Sequence, residues 1–183
     1  MAALEMEVDT FDTPPGTDPE TRQFITFSCA GQNFGIDIMA MREIRNWSPV
    51  TPLPAQKPDV LGVIDIRGRV VPIHDLALRI GCAAVVQEQR EGQVILVLKV
   101  DGHDMGLLVD SVSDIIDVKA EDMLAVPQVE GSSARFLAGI ARQGDTLVAI
   151  LDAETVRSQS ADSTDSANDA EAGDFVFLDE IAV

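Results

Sequence analysis

The feature that most limits the fold is a series of four paired apolar runs, each pair joined by a short turn that contains glycine. Residues 23–29 alternate, stop at Ala30-Gly31-Gln32, and the pattern resumes over 33–38. Residues 60–66 and 70–74 flank Arg67-Gly68-Arg69, residues 94–100 and 103–109 flank Asp101-Gly102, and residues 136–142 and 146–151 flank Gln143-Gly144-Asp145. Alternating runs closed by such turns are β-hairpins, and Asp-Gly is the strongest of these signals. Short helices are expected over 39–44, 75–80 and 153–157, each beside an Asp able to cap free N–H groups. Many short strands at close spacing indicate an all-β sandwich or barrel.

The hairpins also repeat. Residues 34–44 can be laid over 105–115: each opens with an apolar residue and Gly inside a strand and ends on Ile. Residues 61–75 resemble 138–152, each a hairpin with a central Gly, an apolar return strand and an Asp opening a helix. Two small β-barrel halves of similar build, sharing a core, are therefore expected. Gly35, Gly62, Gly106 and Gly139 lie within strand patterns, where glycine is costly unless a bulge, a corner or a close approach requires it.

Charge is unevenly placed. The 183 residues carry 31 acidic and 13 basic side chains, but residues 1–21 and 158–183 contain no Lys or Arg. The sequence reads as a flexible acidic leader (1–21), a folded part (22–157), a Ser/Asp-rich linker (158–174) and an apolar C-terminal segment (175–183). That last segment is equally a docking peptide or a final element resting on its own domain. Acidity and the absence of Tyr argue against a nucleic-acid partner. Cys29 and Cys82 read as buried thiols in a reducing compartment. With no signal-like start and no apolar run of ~20 residues, a cytoplasmic protein without membrane insertion is expected.

Catalytic signals are weak. His74 and Asp75 are neighbours on a strand end, so their side chains diverge, and Asp75 reads as a helix cap. The two His and two Cys lack ligand spacing, and neither a phosphate loop nor a nucleophile elbow is present. No enzyme activity, metal or cofactor is expected. Arg67 stands out at a hairpin bend, where it is placed either to dock a partner or to neutralise Asp65 or Asp37. Pro72 reads as the mark of an edge strand beside it.

Asp65-Ile66-Arg67-Gly68, Val70-Val71-Pro72-Ile73 and Asp75-Leu76 resemble the turn, Pro-containing strand and Asp-Leu of the CheW family of chemotaxis coupling proteins. Phe34-Gly35-Ile36-Asp37-Ile38 with Glu43-Ile44-Arg45, and the run from Gly106 to Asp114, are similar to further family motifs in the family order. The resemblance spans about residues 22–157. It implies two five-stranded SH3-like barrels around a joint core, with short helices. It also implies a non-enzymatic adaptor linking the cytoplasmic tips of chemoreceptors to the regulatory domain of the histidine kinase CheA, at the inner face of the membrane. A coupler for twitching, gliding or developmental signalling is the alternative, and a small β-barrel enzyme using Asp75, His74 or Asp37 a distant third. By motif, the family's receptor groove maps onto Met41, Glu43, Gly62, Ile66, Arg67, Ile95, Gly106 and Val112. Asp65 in place of Asn, and His74 in place of an aliphatic residue, depart from the family pattern.

Overall fold

The computed structural model describes residues 21–54, 56–82, 90–127 and 132–159. The expectations for the leader, most of the linker and the C-terminal segment fall outside these residues. Among the described residues, eleven strands form two sheets. In chain order they are β1 (Thr21–Cys29), β2 (Gln32–Asp37), β3 (Met41–Asn46), β4 (Val60–Ile66), β5 (Arg69–Asp75) and β6 (Val94–Val100). Then follow β7 (His103–Val109), β8 (Ser111–Lys119), β9 (Met123–Leu124), β10 (Leu137–Gln143) and β11 (Thr146–Leu151). Two short helices, α1 (Leu76–Arg79) and α2 (Ala153–Ser158), are capped by the side chains of Asp75 and Asp152. The first sheet runs β8-β1-β2-β11-β10-β9 and the second β3-β6-β7-β5-β4. The two-residue β9 makes the first sheet six-stranded, one more than the five expected for each barrel.

All four hairpins form where the alternation places them. The helix expected over 39–44 does not. A single 3-10 turn, Ile38–Ala40, capped by Asp37, leads directly into β3. Strand β8 was likewise not anticipated. Both are charged strands with little apolar alternation, and each is held by another part of the chain. β3 pairs with β6, and β8 pairs with β1.

These pairings show how the repeat is used. Residue 35 corresponds to 106, 41 to 112, 62 to 139 and 75 to 152. Each sheet joins a hairpin from one repeat to strands from the other, β1–β2 with β8, β9, β10 and β11, and β6–β7 with β3, β4 and β5. Neither repeat can close a barrel alone. The shared core lies where they meet: Phe27, Phe34, Leu96, Leu98, Leu107 and Phe136 are among its buried members, drawn from both sheets.

Pro72 does not mark an edge, because β5 lies between β4 and β7. Val63, opposite Pro72, exchanges both backbone hydrogen bonds with Thr51 (2.8 and 2.9 Å). Its polar groups therefore point away from β5, so this pair needs no N–H from residue 72. The ladder from β5 to β7 begins only at Ile73.

Candidate docking groove

The residues singled out from the sequence separate into a buried set and an accessible set. Ile66 and Ile95 are 2% and 0% exposed and belong to the core of the second sheet, with Ile73 and Val97. Gly106 is buried opposite Ile73 on the parallel strand. A Cβ on Gly106 would run into the Ile73 side chain and lie 3.0 Å from Ile95 Cγ2. Gly62 sits at a bulge in β4 with φ +145°, and a Cβ there would strike the Thr51 carbonyl group. These four residues cannot themselves touch a partner. They lie on β4, β6 and β7, which pack within the second sheet.

The accessible set lies on β3, at the β4–β5 turn and on β8. Met41 and Val112 are repeat-equivalent, and both are half-buried against the shared core. Met41 opens β3 and Val112 is the second residue of β8, so each stands where the chain passes from one sheet to the other. Just after Met41 the strand bulges, and Glu43 then follows in register with Val97. Its carboxylate meets Arg67 at 3.4 Å and Arg45 at 3.3 Å. Arg67 is 83% exposed at the tip of the turn, in the left-handed conformation with φ +54°. Neither acid suggested as its counter-ion is used. Asp65 Oδ1 accepts the Gly68 N–H at 2.7 Å, which closes the turn, and Asp37 pairs with Arg22. Asp65 therefore acts on the backbone, and Arg67 keeps a free outward face beside Glu43.

Three exposed apolar side chains near these residues in the chain escaped sequence reasoning: Met39, Ile44 and Val70, at 87%, 47% and 70% exposure. A signal was available. Ile44 corresponds to Ile115 and Val70 to Leu147, and both counterparts are exposed too. Each sheet thus shows apolar side chains to solvent at the same two places, which single scattered residues would not do.

The arrangement offers shape and charge rather than reactive groups. His74 is not an ordinary strand residue. Its Nδ1 lies 3.2 Å from Asp59 Oδ2 and 3.0 Å from Arg79 Nη1. Asp75 is occupied as the α1 cap. Burial, then the carboxylates of Asp110 and Asp75, push the Cys29 thiol well above its usual pKa, so it stays protonated in the core.

The chain matches the family model described as a CheW-like domain over residues 23–160. It is 38% identical to the chemotaxis protein CheW of Rhizobium meliloti over 136 residues, covering 74% of this chain and 86% of that protein. It is 37% identical to a probable chemotaxis protein CheW of Rhizobium etli over 140 residues, covering 76% and 89%. The crystal structure of the scaffolding protein TtCheW from Thermoanaerobacter tengcongensis superposes with a TM-score of 0.68 at 25% identity. That match covers 74% of this chain and 91% of the other.

Proposed function

This chain belongs to the CheW family, and from that premise we propose that it is a non-enzymatic adaptor coupling chemoreceptors to the histidine kinase CheA. The observation that carries the reading is the extent of the likeness. The match runs from residue 23 to 160 and so takes in strands of both sheets, which supports reading the whole fold as that of an adaptor. The receptor tip, an apolar helical hairpin, docks at the junction of the repeats in a helix-in-groove mode. Met41 and Val112 supply its apolar contact, and Glu43 with Arg67 sets its orientation at the rim. Gly62, Ile66, Ile95 and Gly106 hold the groove's shape from behind. The kinase regulatory domain takes surfaces on the barrels away from the groove. Through these partners the protein works on the cytoplasmic side of the membrane.

Calorimetric titration of the full chain with the CheA regulatory domain and with a receptor tip, separately and together, tests the reading. Binding of each, and of both at once, is expected. Failure of both partners to bind removes the assignment. Binding of the kinase domain but not of a chemotaxis receptor points to a coupler for another pathway.

A further inference from the structure

On the second sheet, two ion pairs span the barrel end at the β4–β5 turn. Arg67 meets Glu43 at 3.4 Å, and Arg69 Nη1 meets Asp104 Oδ2 at 2.6 Å. The repeat-equivalent residues on the first sheet are Gly144, Asp114, Thr146 and Asn33. Both arginines are gone and one acid has become an amide, but the other acid is kept. Among the described residues Asp114 has no cation partner. Its Oδ1 accepts the Ile115 N–H at 2.8 Å. Its backbone is pinned by Thr26 Oγ1, which donates to the Asp114 carbonyl at 3.0 Å and accepts its N–H at 3.1 Å.

The turns themselves match. Gly144 has φ +58° and Arg67 φ +54°, so both hairpins place a left-handed residue at the same point. What differs is the side chain. Where the second sheet has guanidinium groups, the first has an open hollow of about 220 Å³. Asn33, Gln143, Thr146 and Asp114 line it, over a floor that includes Ile116 and Val148.

We propose that this hollow receives an arginine side chain presented by a partner polypeptide. The partner then supplies in trans the charge that Arg67 and Arg69 supply within the chain on the other sheet. A single carboxylate among neutral amide and hydroxyl oxygens suits a planar fork of five donors better than the point charge of lysine. The apolar floor suits the methylene stem. Anionic ligands are disfavoured by the acid at the mouth and by the chain's net charge of −18. The contact is exposed, so it fixes the partner's register more than it adds affinity.

Amide chemical-shift titration of the full-length, ¹⁵N-labelled protein with N-acetyl-arginine methylamide, and with its lysine and citrulline counterparts, tests this. Saturable shifts at Thr26, Asp114, Gln143 and Thr146 are expected with arginine, weaker ones with lysine and none with citrulline. Asp114→Asn should weaken arginine binding by about threefold or more. Gly144→Arg places a guanidinium beside Asp114 and should abolish the response. The site has room, since a Cβ on Gly144 meets nothing within 4 Å, and Arg67 already tolerates that backbone. An equal response to lysine or citrulline overturns the proposal. So does an arginine response unchanged by both substitutions, one centred elsewhere, or none that saturates.

Discussion

Two corners of the molecule share one backbone and differ in chemistry. Where α1 follows β5, Asp75 N–H donates to the Asp59 carbonyl at 2.8 Å. Where α2 follows β11, Asp152 N–H donates to the Phe136 carbonyl, also at 2.8 Å. Behind the second bond lie Phe136, Leu151 and Val156, 0%, 2% and 0% exposed. The equivalent positions behind the first are Asp59, His74 and Arg79. There Asp59 is 1% and Arg79 5% exposed, and the two are joined by an ion pair. The same fold thus accepts an oily corner and an ionic one. The ionic corner does something the oily one cannot. Arg79 also donates to the carbonyls of Val156 and Arg157, at the end of α2, so it fastens one repeat's corner to the other's last helix.

The largest expected effect breaks the ionic corner alone. Arg79→Met removes the buried ion pair with Asp59 and should cost about 3–5 kcal/mol in urea unfolding. Copying the oily corner, by Asp59→Phe, His74→Leu and Arg79→Val together, should recover most of that loss, because a buried pair returns little over well-packed apolar groups. If the triple variant is as unstable as Arg79→Met, the tie to α2 outweighs the ion pair.

A second comparison sets Gly106 against its counterpart Gly35, which faces Ile150 as Gly106 faces Ile73. Gly106→Ala meets both Ile73 and Ile95, whereas the clash at Gly35 is with the tip of Ile150, 2.7 Å away. Overpacking should cost about 2–3 kcal/mol at Gly106 and about 1–2 kcal/mol at Gly35. Ile73→Val, which removes the offending methyl, should recover part of the first loss and none of the second. Equal losses at the two sites would mean that the repeats pack more alike than their side chains indicate.

Arg67→His sharpens the comparison of the two turns without touching the core. Its unfolding midpoint should match the parent protein, while co-sedimentation with receptor-containing membranes falls and binding to the kinase regulatory domain stays nearly unchanged. Undiminished recovery with membranes would remove Arg67 from the receptor contact. The smallest effect is expected from truncation after Gln159, which keeps both carbonyls bound by Arg79. The melting temperature should move by no more than a few degrees. A large drop would show that the missing residues pack on the barrels.

Local pattern made the hairpins, their turns, the two capped helices and the repeat legible. Alternation, Gly-containing turns and Asp caps act over a few residues, so their physics is written in adjacent positions. β3 and β8 were not legible for the same reason. Arg42, Glu43 and Arg45 on one, and Asp114, Asp117 and Lys119 on the other, give no apolar rhythm, and their pairing partners lie in the other repeat. The candidate site was half legible. Motif similarity named its residues together, but it could not separate Arg67 and Glu43 at the surface from the buried Ile66, Ile95 and Gly106. The role of Asp65 was hidden as well, since only the turn geometry shows its carboxylate spent on Gly68 N–H.

The sequence by itself determined that this is an all-β chain of repeated hairpins. Only the tertiary structure decided that the repeats exchange strands, that an ionic corner replaces an oily one, and that one barrel end carries its arginines while the other is left open. Each of those outcomes depends on which distant residues become neighbours. Proximity across the repeats is set when the whole core closes, and no short stretch of chain encodes it.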